Sequence, residues 1–346
     1  MALIGVRARP GAIAVARRLA GHLARGLAMI LVVTSVNFVI IRNIPGDPIA
    51  ARYEKLVEQG MSPDQAERAT AVLYGFLPKG SLWEQYADYM GGLLTLDLGQ
   101  SLSTPGAEVT GMLAAAATWT VIPVLAGTLL SFLLGVTMGV YAAIRRSGRL
   151  GDVLAISGSL LHGVPQYVLA LLLGAIFTTL WPILPGSGTA DIMIEPGLSV
   201  EYAGSLIQHA TLPVLTYALA SYGGWILAMK SSVVTVLGDD FILAAELRGL
   251  TRGIIFRYVA RNAILPLFTI LALSLGLLFG GAIFIERIFT YPGLGLLLLD
   301  SITGRDYALM GGAFLLITVA IVIANIVADM LYTVIDPRVR SGEESA

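Results

Sequence analysis

The sequence predicts an all-α integral membrane protein with six transmembrane helices, and three observations carry that prediction. Of the 346 residues 56% are hydrophobic and only 13% charged, with a mean hydropathy of +0.80; a soluble globule of that balance would lack the polar surface to cover itself. The apolar residues gather into runs long enough to cross a bilayer as helix, which takes about 20 residues, and not into the short alternating segments of a barrel. Lys and Arg are divided unevenly among the segments between the runs, and that asymmetry sets orientation.

The runs lie at 24–41, 119–144, 153–180, 209–229, 267–285 and 310–334. The arm before the first carries Arg7, Arg9, Arg17, Arg18 and Arg25, and the tail carries Arg338 and Arg340. Between the second and third runs stand Arg145, Arg146 and Arg149; between the fourth and fifth stand Lys230, Arg248, Arg252, Arg257 and Arg261. These are fifteen of the twenty-two basic residues. The positive-inside rule therefore makes both termini and the 239–266 loop cytoplasmic, and an even number of spans agrees with both termini on one side. The basic arm reads as a retention signal and not as a cleaved signal peptide, because no small-residue cleavage site follows its apolar run closely. The expected divisions are an arm with the first span (1–42), an extracytoplasmic insert (43–118), a membrane core (119–335) and a tail (336–346).

Within the insert, Ser62-Pro63-Asp64-Gln65 and Ser81-Leu82-Trp83-Glu84 each have the form of a capped helix start. Trp83, Tyr86 and Tyr89 then recur on one helical face. Such a helical insert either meets a partner outside the membrane or packs onto the bundle, and aromatic spacing does not choose. In the third span Gly163-Val164-Pro165 interrupts the helix. Between the third and fourth spans, Trp181-Pro182-Ile183-Leu184-Pro185-Gly186-Ser187-Gly188 marks a loop.

Catalytic chemistry is sparse. There is no cysteine, which removes thiolate ligands, disulfides and thiol nucleophiles. Lys55, Lys79 and Lys230 follow Glu54, Pro78 and Met229, so none ends a phosphate-binding Gly-Lys-Ser/Thr turn. His22, His162 and His209 lie far apart, outside any zinc-helix spacing. No catalytic residue, metal or cofactor is expected in this chain. Any fuel is handled by another subunit.

Polar residues inside spans cost about 2.5–3.5 kcal/mol each at mid-bilayer when charged. Ser159, His162 and Gln166 fall at i, i+3 and i+7 with Tyr167 beside them. The stripe suits the pathway of a polar solute, or hydrogen bonding between helices. Gly135 with Gly139, and Gly276 with Gly280, have the spacing of close helix approach. The 239–266 loop is a basic, polar, helix-like insert between apolar runs. Its Ala244 and Ala245 offer a small face and Gly249 permits a sharp turn.

Ordered motifs along nearly the whole chain then resemble one family. They include Ile44-Pro45-Gly46-Asp47-Pro48, Leu93 to Ser101 (LLTLDLGQS), Val164-Pro165 and Leu184-Pro185-Gly186. Further along come Leu212-Pro213, Arg261-Asn262-Ala263, Leu265-Pro266, Gly280-Gly281, Glu286 and Phe289. Tyr291-Pro292-Gly293-Leu294-Gly295, Asp306-Tyr307, Asn325, Asp329 and Asp336-Pro337-Arg338 complete the series. Together they resemble the first permease subunit of the binding-protein-dependent ABC importers, in the oligopeptide/dipeptide (nickel) branch.

That resemblance implies a type I ABC importer permease fold in the cell's inner or plasma membrane. It implies as partners a second homologous permease, two ATPase subunits holding ATP and Mg, an extracytoplasmic substrate-binding protein and membrane lipid, with no nucleic acid. Ala244, Ala245, Glu246, Arg248 and Gly249 then correspond to the ATPase-coupling segment. Ser159, His162, Gln166 and Tyr167 are the candidate pathway residues. Peptides are the expected cargo, oligosaccharides the alternative within the same architecture and a passive channel the remoter one. Three positions depart from the branch: Leu243 and Glu246 in the coupling segment, and Leu296, where arginine is frequent.

Overall fold

A helix satisfies its own backbone amides, which hydrocarbon cannot do, and helices dominate the computed structural model, which describes residues 12–43, 48–74, 80–101, 103–104, 106–144 and 148–335. In chain order they are α1 (Ala12–Asn43), α2 (Pro48–Glu58), α3 (Pro63–Tyr74), α4 (Leu82–Thr95), α5 (Val109–Ile144), α6 (Arg149–Gly163) and α7 (Gln166–Gly174). There follow α8 (Val200–Leu237), α9 (Asp240–Leu247), α10 (Arg252–Ala263), α11 (Leu265–Ile288), α12 (Leu294–Thr303) and α13 (Tyr307–Ile335). Among the described residues, strand pairing is confined to an isolated bridge between Gln100 and Glu108.

Five helical stretches are long and apolar enough to cross a membrane, or six where the bent pair α6–α7 makes one span. One such stretch runs from Arg252 to Leu271, across α10 into α11. Because α10 exposes Arg252, Arg257 and Arg261, the crossing belongs to α11, whose 24 residues reach about 36 Å at 1.5 Å per residue. Two spans are longer than their apolar runs indicate. The α5 helix begins at Val109 and α8 at Val200, where Ser199 accepts a hydrogen bond from the Tyr202 amide at 3.1 Å. The cap and not hydropathy sets the start of α8, and at the start of α5 the Val109 amide donates to the Gly99 carbonyl at 3.2 Å.

The expected interruption of the third span is a full break. Val164 is extended (φ −87, ψ 123), Pro165 precedes α7 with ψ 142, and the two helices meet at 102°. Proline removes a backbone donor and disfavours the helical region for the residue before it. The i, i+3, i+7 stripe drawn through Ser159, His162 and Gln166 therefore does not exist as one helical face. Ser159 and His162 sit on α6, while Gln166 and Tyr167 open α7. After α7 the chain widens into a π turn over Ala175–Leu180 and stops at Trp181.

Glycines decide the central packing. The α5 and α8 helices run parallel, and a Cβ on Gly139 would stand 2.7 Å from Met229 Cβ and 2.8 Å from the Ile226 carbonyl oxygen. On Gly127 it would stand 2.8 Å from the Val214 carbonyl oxygen, and on Gly135, 3.1 Å from that of Tyr222. Gly158 and Gly223 bring α6 onto α8 in the same way. Of the two glycine pairs read from spacing, Gly135 and Gly139 are thus placed at a helix contact; the side-chain surroundings of Gly276 and Gly280 lie outside the described residues. Between these glycines Phe132 meets Trp225 edge to face at 5.1 Å, within a cluster holding Met229, Val259, Ala263 and Leu267.

Both helix starts read in the insert carry their caps. At α4 the Glu84 amide donates to Ser81 Oγ at 3.3 Å and the Ser81 amide to Glu84 Oε2 at 2.7 Å; Ser62 and Gln65 make the reciprocal pair before α3, each at 3.3 Å. The α4 helix stands on α1, where Asn37 Nδ2 donates to Tyr89 OH at 2.9 Å and Ser35 Oγ lies 2.7 Å from Tyr86 OH. Of the three aromatics, Tyr86 and Tyr89 pack onto the bundle and Trp83 stays exposed. Most of the Pro-Gly-Asp-Pro motif (44–47), Arg145 and Arg146, Arg7 and Arg9 of the arm, and the tail from 336 onward lie outside the described residues.

Candidate functional site

The 239–266 loop folds as two short helices joined by a tight turn. In α9 the inward face is Ile242 and Ala245, both buried, and the outward face carries Phe241, Ala244, Leu247 and Arg248. The two alanines therefore do not share one face, because consecutive helical residues lie about 100° apart. Ala244 is open to a partner, whereas Ala245 packs inward. Glu246 and Arg248 are exposed, as are the apolar Leu243 and Leu247, the latter at 81%.

At the turn Gly249 has φ 72, its amide donates to the Glu246 carbonyl at 2.9 Å, and the Leu250 amide donates to Ala245 at 3.2 Å. No atom outside the turn lies within 4 Å of the position a Cβ would take at Gly249, so the demand for glycine is conformational. The α10 helix is anchored where Ser232 Oγ of α8 donates to the Ala263 carbonyl at 2.7 Å. Val259 and Ala263 of α10 and Leu267 of α11 pack into the same cluster as Trp225 and Met229 of α8.

The four candidate pathway residues gather around the α6–α7 break. Ser159 and His162 are exposed, Gln166 is half-buried, and Tyr167 is exposed with its ring 6.1 Å from Phe284 of α11. A Cβ on Gly224 would lie 3.4 Å from His162 Nδ1, so the imidazole rests on a side-chain-free patch of α8.

At the end of α11 away from the α9–α10 projection, two buried carboxylates organise the loops. Glu286, near the end of α11, is 2% exposed. Thr120 Oγ1 of α5 donates to its Oε1 at 2.6 Å, and the Leu296 amide of α12 donates to Oε2 at 2.9 Å. Thr120 Oγ1 in turn accepts from the Leu294 amide at 2.7 Å. Where the branch often has arginine, Leu296 thus contributes its backbone to the carboxylate and buries its side chain. Tyr291 is buried against Trp119, with ring centroids 5.8 Å apart. Burial, then the Glu286 charge, pushes its phenol up to about 12.

Asp306 is fully buried and caps α13, its Oδ1 accepting from the Leu309 amide at 3.1 Å. Its Oδ2 accepts from Ser101 Oγ at 2.6 Å and from the Ser103 amide and hydroxyl at 3.0 and 2.9 Å. The LLTLDLGQS segment and the Asp306-Tyr307 pair, over 200 residues apart in the chain, are therefore one structure. Asp306→Ala removes a helix cap and leaves the buried Ser101 hydroxyl short of its acceptor. Together these losses should cost about 2–4 kcal/mol, to be read as a lower unfolding temperature of the detergent-purified chain; an unchanged midpoint would contradict the clamp. The resemblance had already singled out Glu286 and Asp306. Thr120 and Ser103 belong to no motif, and only the packing brings them to a carboxylate.

Residues 135–341 match the family described as binding-protein-dependent transport system inner membrane component. The chain is 30% identical to the dipeptide transport system permease protein DppB of Escherichia coli (strain K12), covering 89% of this chain and 94% of that protein. It is 31% identical to the di/tripeptide transport system permease protein DppB of Pseudomonas aeruginosa (strain UCBPP-PA14), over 89% and 94% of the two chains. With the oligopeptide transport system permease protein AppB of Bacillus subtilis (strain 168) it shares 27% identity over 90% and 96%. The family match, these nearly full-length alignments and the apolar crossing helices agree: the chain is a multi-pass membrane protein and belongs to the family of binding-protein-dependent transport system inner membrane components.

Proposed function

We propose that the chain is the pathway-forming permease subunit of an ATP-driven peptide importer. It works beside a second homologous permease, above two ATPase subunits that hold ATP and Mg, and below an extracytoplasmic binding protein that delivers the peptide. The observation that carries this reading is the α9–α10 projection. It exposes Phe241, Leu243 and Leu247 beside Glu246, Arg248 and Arg252 on a helix too short to enter the bilayer as a span. Exposed apolar area rimmed by charge is the form of a protein-binding surface, and the Ser232–Ala263 tie supports transmission from it into α8 and α11.

The basic-residue count supports placing that projection and both termini in the cytoplasm. In this reading closure of the ATPase pair pushes α9, rotates α6–α13 and opens the pathway outward; hydrolysis resets it. Ser159, His162, Gln166 and Tyr167 line the pathway beside the α6–α7 break, where interrupted helices commonly place polar groups for a solute. No covalent chemistry falls to this chain. The peptide class follows from the relatives, whose names specify dipeptides, di/tripeptides and oligopeptides.

Reconstitution of the whole complex in vesicles tests the proposal. Labelled di- and tripeptides should accumulate only with ATP and the binding protein. Peptide flux without nucleotide would identify a passive channel, and ATP-driven uptake of oligosaccharides without peptides would overturn the cargo class.

A further inference from the structure

The Glu286 centre is not used by the coupling mechanism above, yet it ties α5 and α12 to α11. Thr120 brings α5 to it, Leu294 and Leu296 bring the first turn of α12, and the Gly188 amide of the loop after α7 donates to Phe289, three residues beyond, at 3.1 Å. Tyr217 of α8 is buried nearby, and its hydroxyl has no hydrogen-bond partner among the described residues. Two residues before Glu286, Phe284 faces the candidate pathway residue Tyr167.

The local sequence is shaped around this carboxylate. A Cβ on Gly293 would collide with the Glu286 carboxylate and stand 2.5 Å from Thr120 Oγ1, and a Cβ on Gly295 would stand 2.6 Å from Ile283 Cα. Neither glycine has positive φ; both make room for close approach. Burying a carboxylate is costly unless several donors meet it, and apolar packing would hold α12 without that cost. A hydrogen-bonded carboxylate instead fixes one geometry, since its donors must arrive from set directions.

Resting on the permease reading, we propose that Glu286 is a positioning residue for transport: together with Thr120 it seats α12 against α5 and α11, so that this apolar ten-residue helix moves with them as one element at the mouth of the pathway. Cargo delivery is sensed at that mouth. Loss of the seat leaves α12 free of α5 and uncouples cargo binding from ATP turnover.

The absence of cysteine allows a direct test with the reporter S301C, placed on the buried face of α12. In the assembled complex, labelling of S301C by a membrane-impermeant maleimide should be slow. It should be faster by about tenfold in E286Q and T120V, each of which loses a hydrogen bond to a charged group, and return to the original rate in T120S. In complexes lacking the reporter, stimulation of ATP hydrolysis by peptide-loaded binding protein should fall by about fivefold in E286Q and T120V and recover in T120S. A residue that served stability alone would lower the yield of assembled complex and leave stimulation per complex unchanged; that result, or labelling of S301C at the original rate, overturns the proposal. Failure of the unsubstituted complex to take up peptide would instead sink the permease reading, and the labelling comparison would still decide whether Glu286 seats α12.

Discussion

Gly139→Leu is expected to remove nearly all folded chain from the membrane. The site lies in the parallel α5–α8 contact, with the Ile226 carbonyl oxygen 2.8 Å and Met229 Cβ 2.7 Å from where a Cβ would stand. A carbonyl cannot rotate away as a side-chain tip can, so the helices must separate along their shared length. Separation opens Gly127 and Gly135 as well, because all three glycines of α5 meet α8, at Val214, Tyr222 and Ile226 in turn. Overpacking a well-filled interior costs about 1–3 kcal/mol and more when backbone must move. Association between helices in lipid rests on such close packing, the hydrophobic effect being absent there. Size-exclusion of the detergent-solubilised variant should show aggregate in place of a single peak, with Gly139→Ala intermediate. A monodisperse Gly139→Leu protein with native thermal stability would refute this account of the bundle.

Gly249→Val acts by a different route and should leave the fold intact. The turn needs φ 72, and a Cβ there meets open space. The cost is therefore that of placing an L residue in the left-handed region, about 1–2 kcal/mol, and greater for a β-branched side chain. That is too little to unfold the chain and enough to change the angle between α9 and α10. Cargo-stimulated ATP hydrolysis in reconstituted vesicles should fall to the basal level, while membrane insertion and the unfolding midpoint stay close to native. Gly249→Asn should retain much of the stimulation, since asparagine tolerates this conformation. Normal stimulated turnover in Gly249→Val would remove the docking role from this segment.

The two substitutions mark a boundary in what local sequence conveys. That 239–266 is a polar projection was legible from its charges between apolar runs, and the glycine turn from its spacing. Which alanine faces outward was not, because it depends on where α9 lands on the bundle: Ala245 is covered and Ala244 open. The break at Gly163-Val164-Pro165 was legible as proline chemistry. Its 102° angle was not, and with it went the continuous stripe from Ser159 to Gln166. Helix ends at Val109 and Val200 escaped hydropathy because their first turns are held by caps and neighbours and not by apolar sequence.

The helical membrane class, the six apolar runs, the capped helix starts of the insert and the want of a Gly-Lys-Ser/Thr turn are all legible in the order of the residues. Each of these follows from composition or from spacing within a few residues, where the geometry of a helix is already known. That Thr120 belongs to Glu286, across 166 positions, and Ser101 to Asp306, across 205, emerges only when the helices are packed. A hydrogen bond across such a separation depends on how whole helices pack, and that packing is set by glycine contacts whose partners no local pattern names.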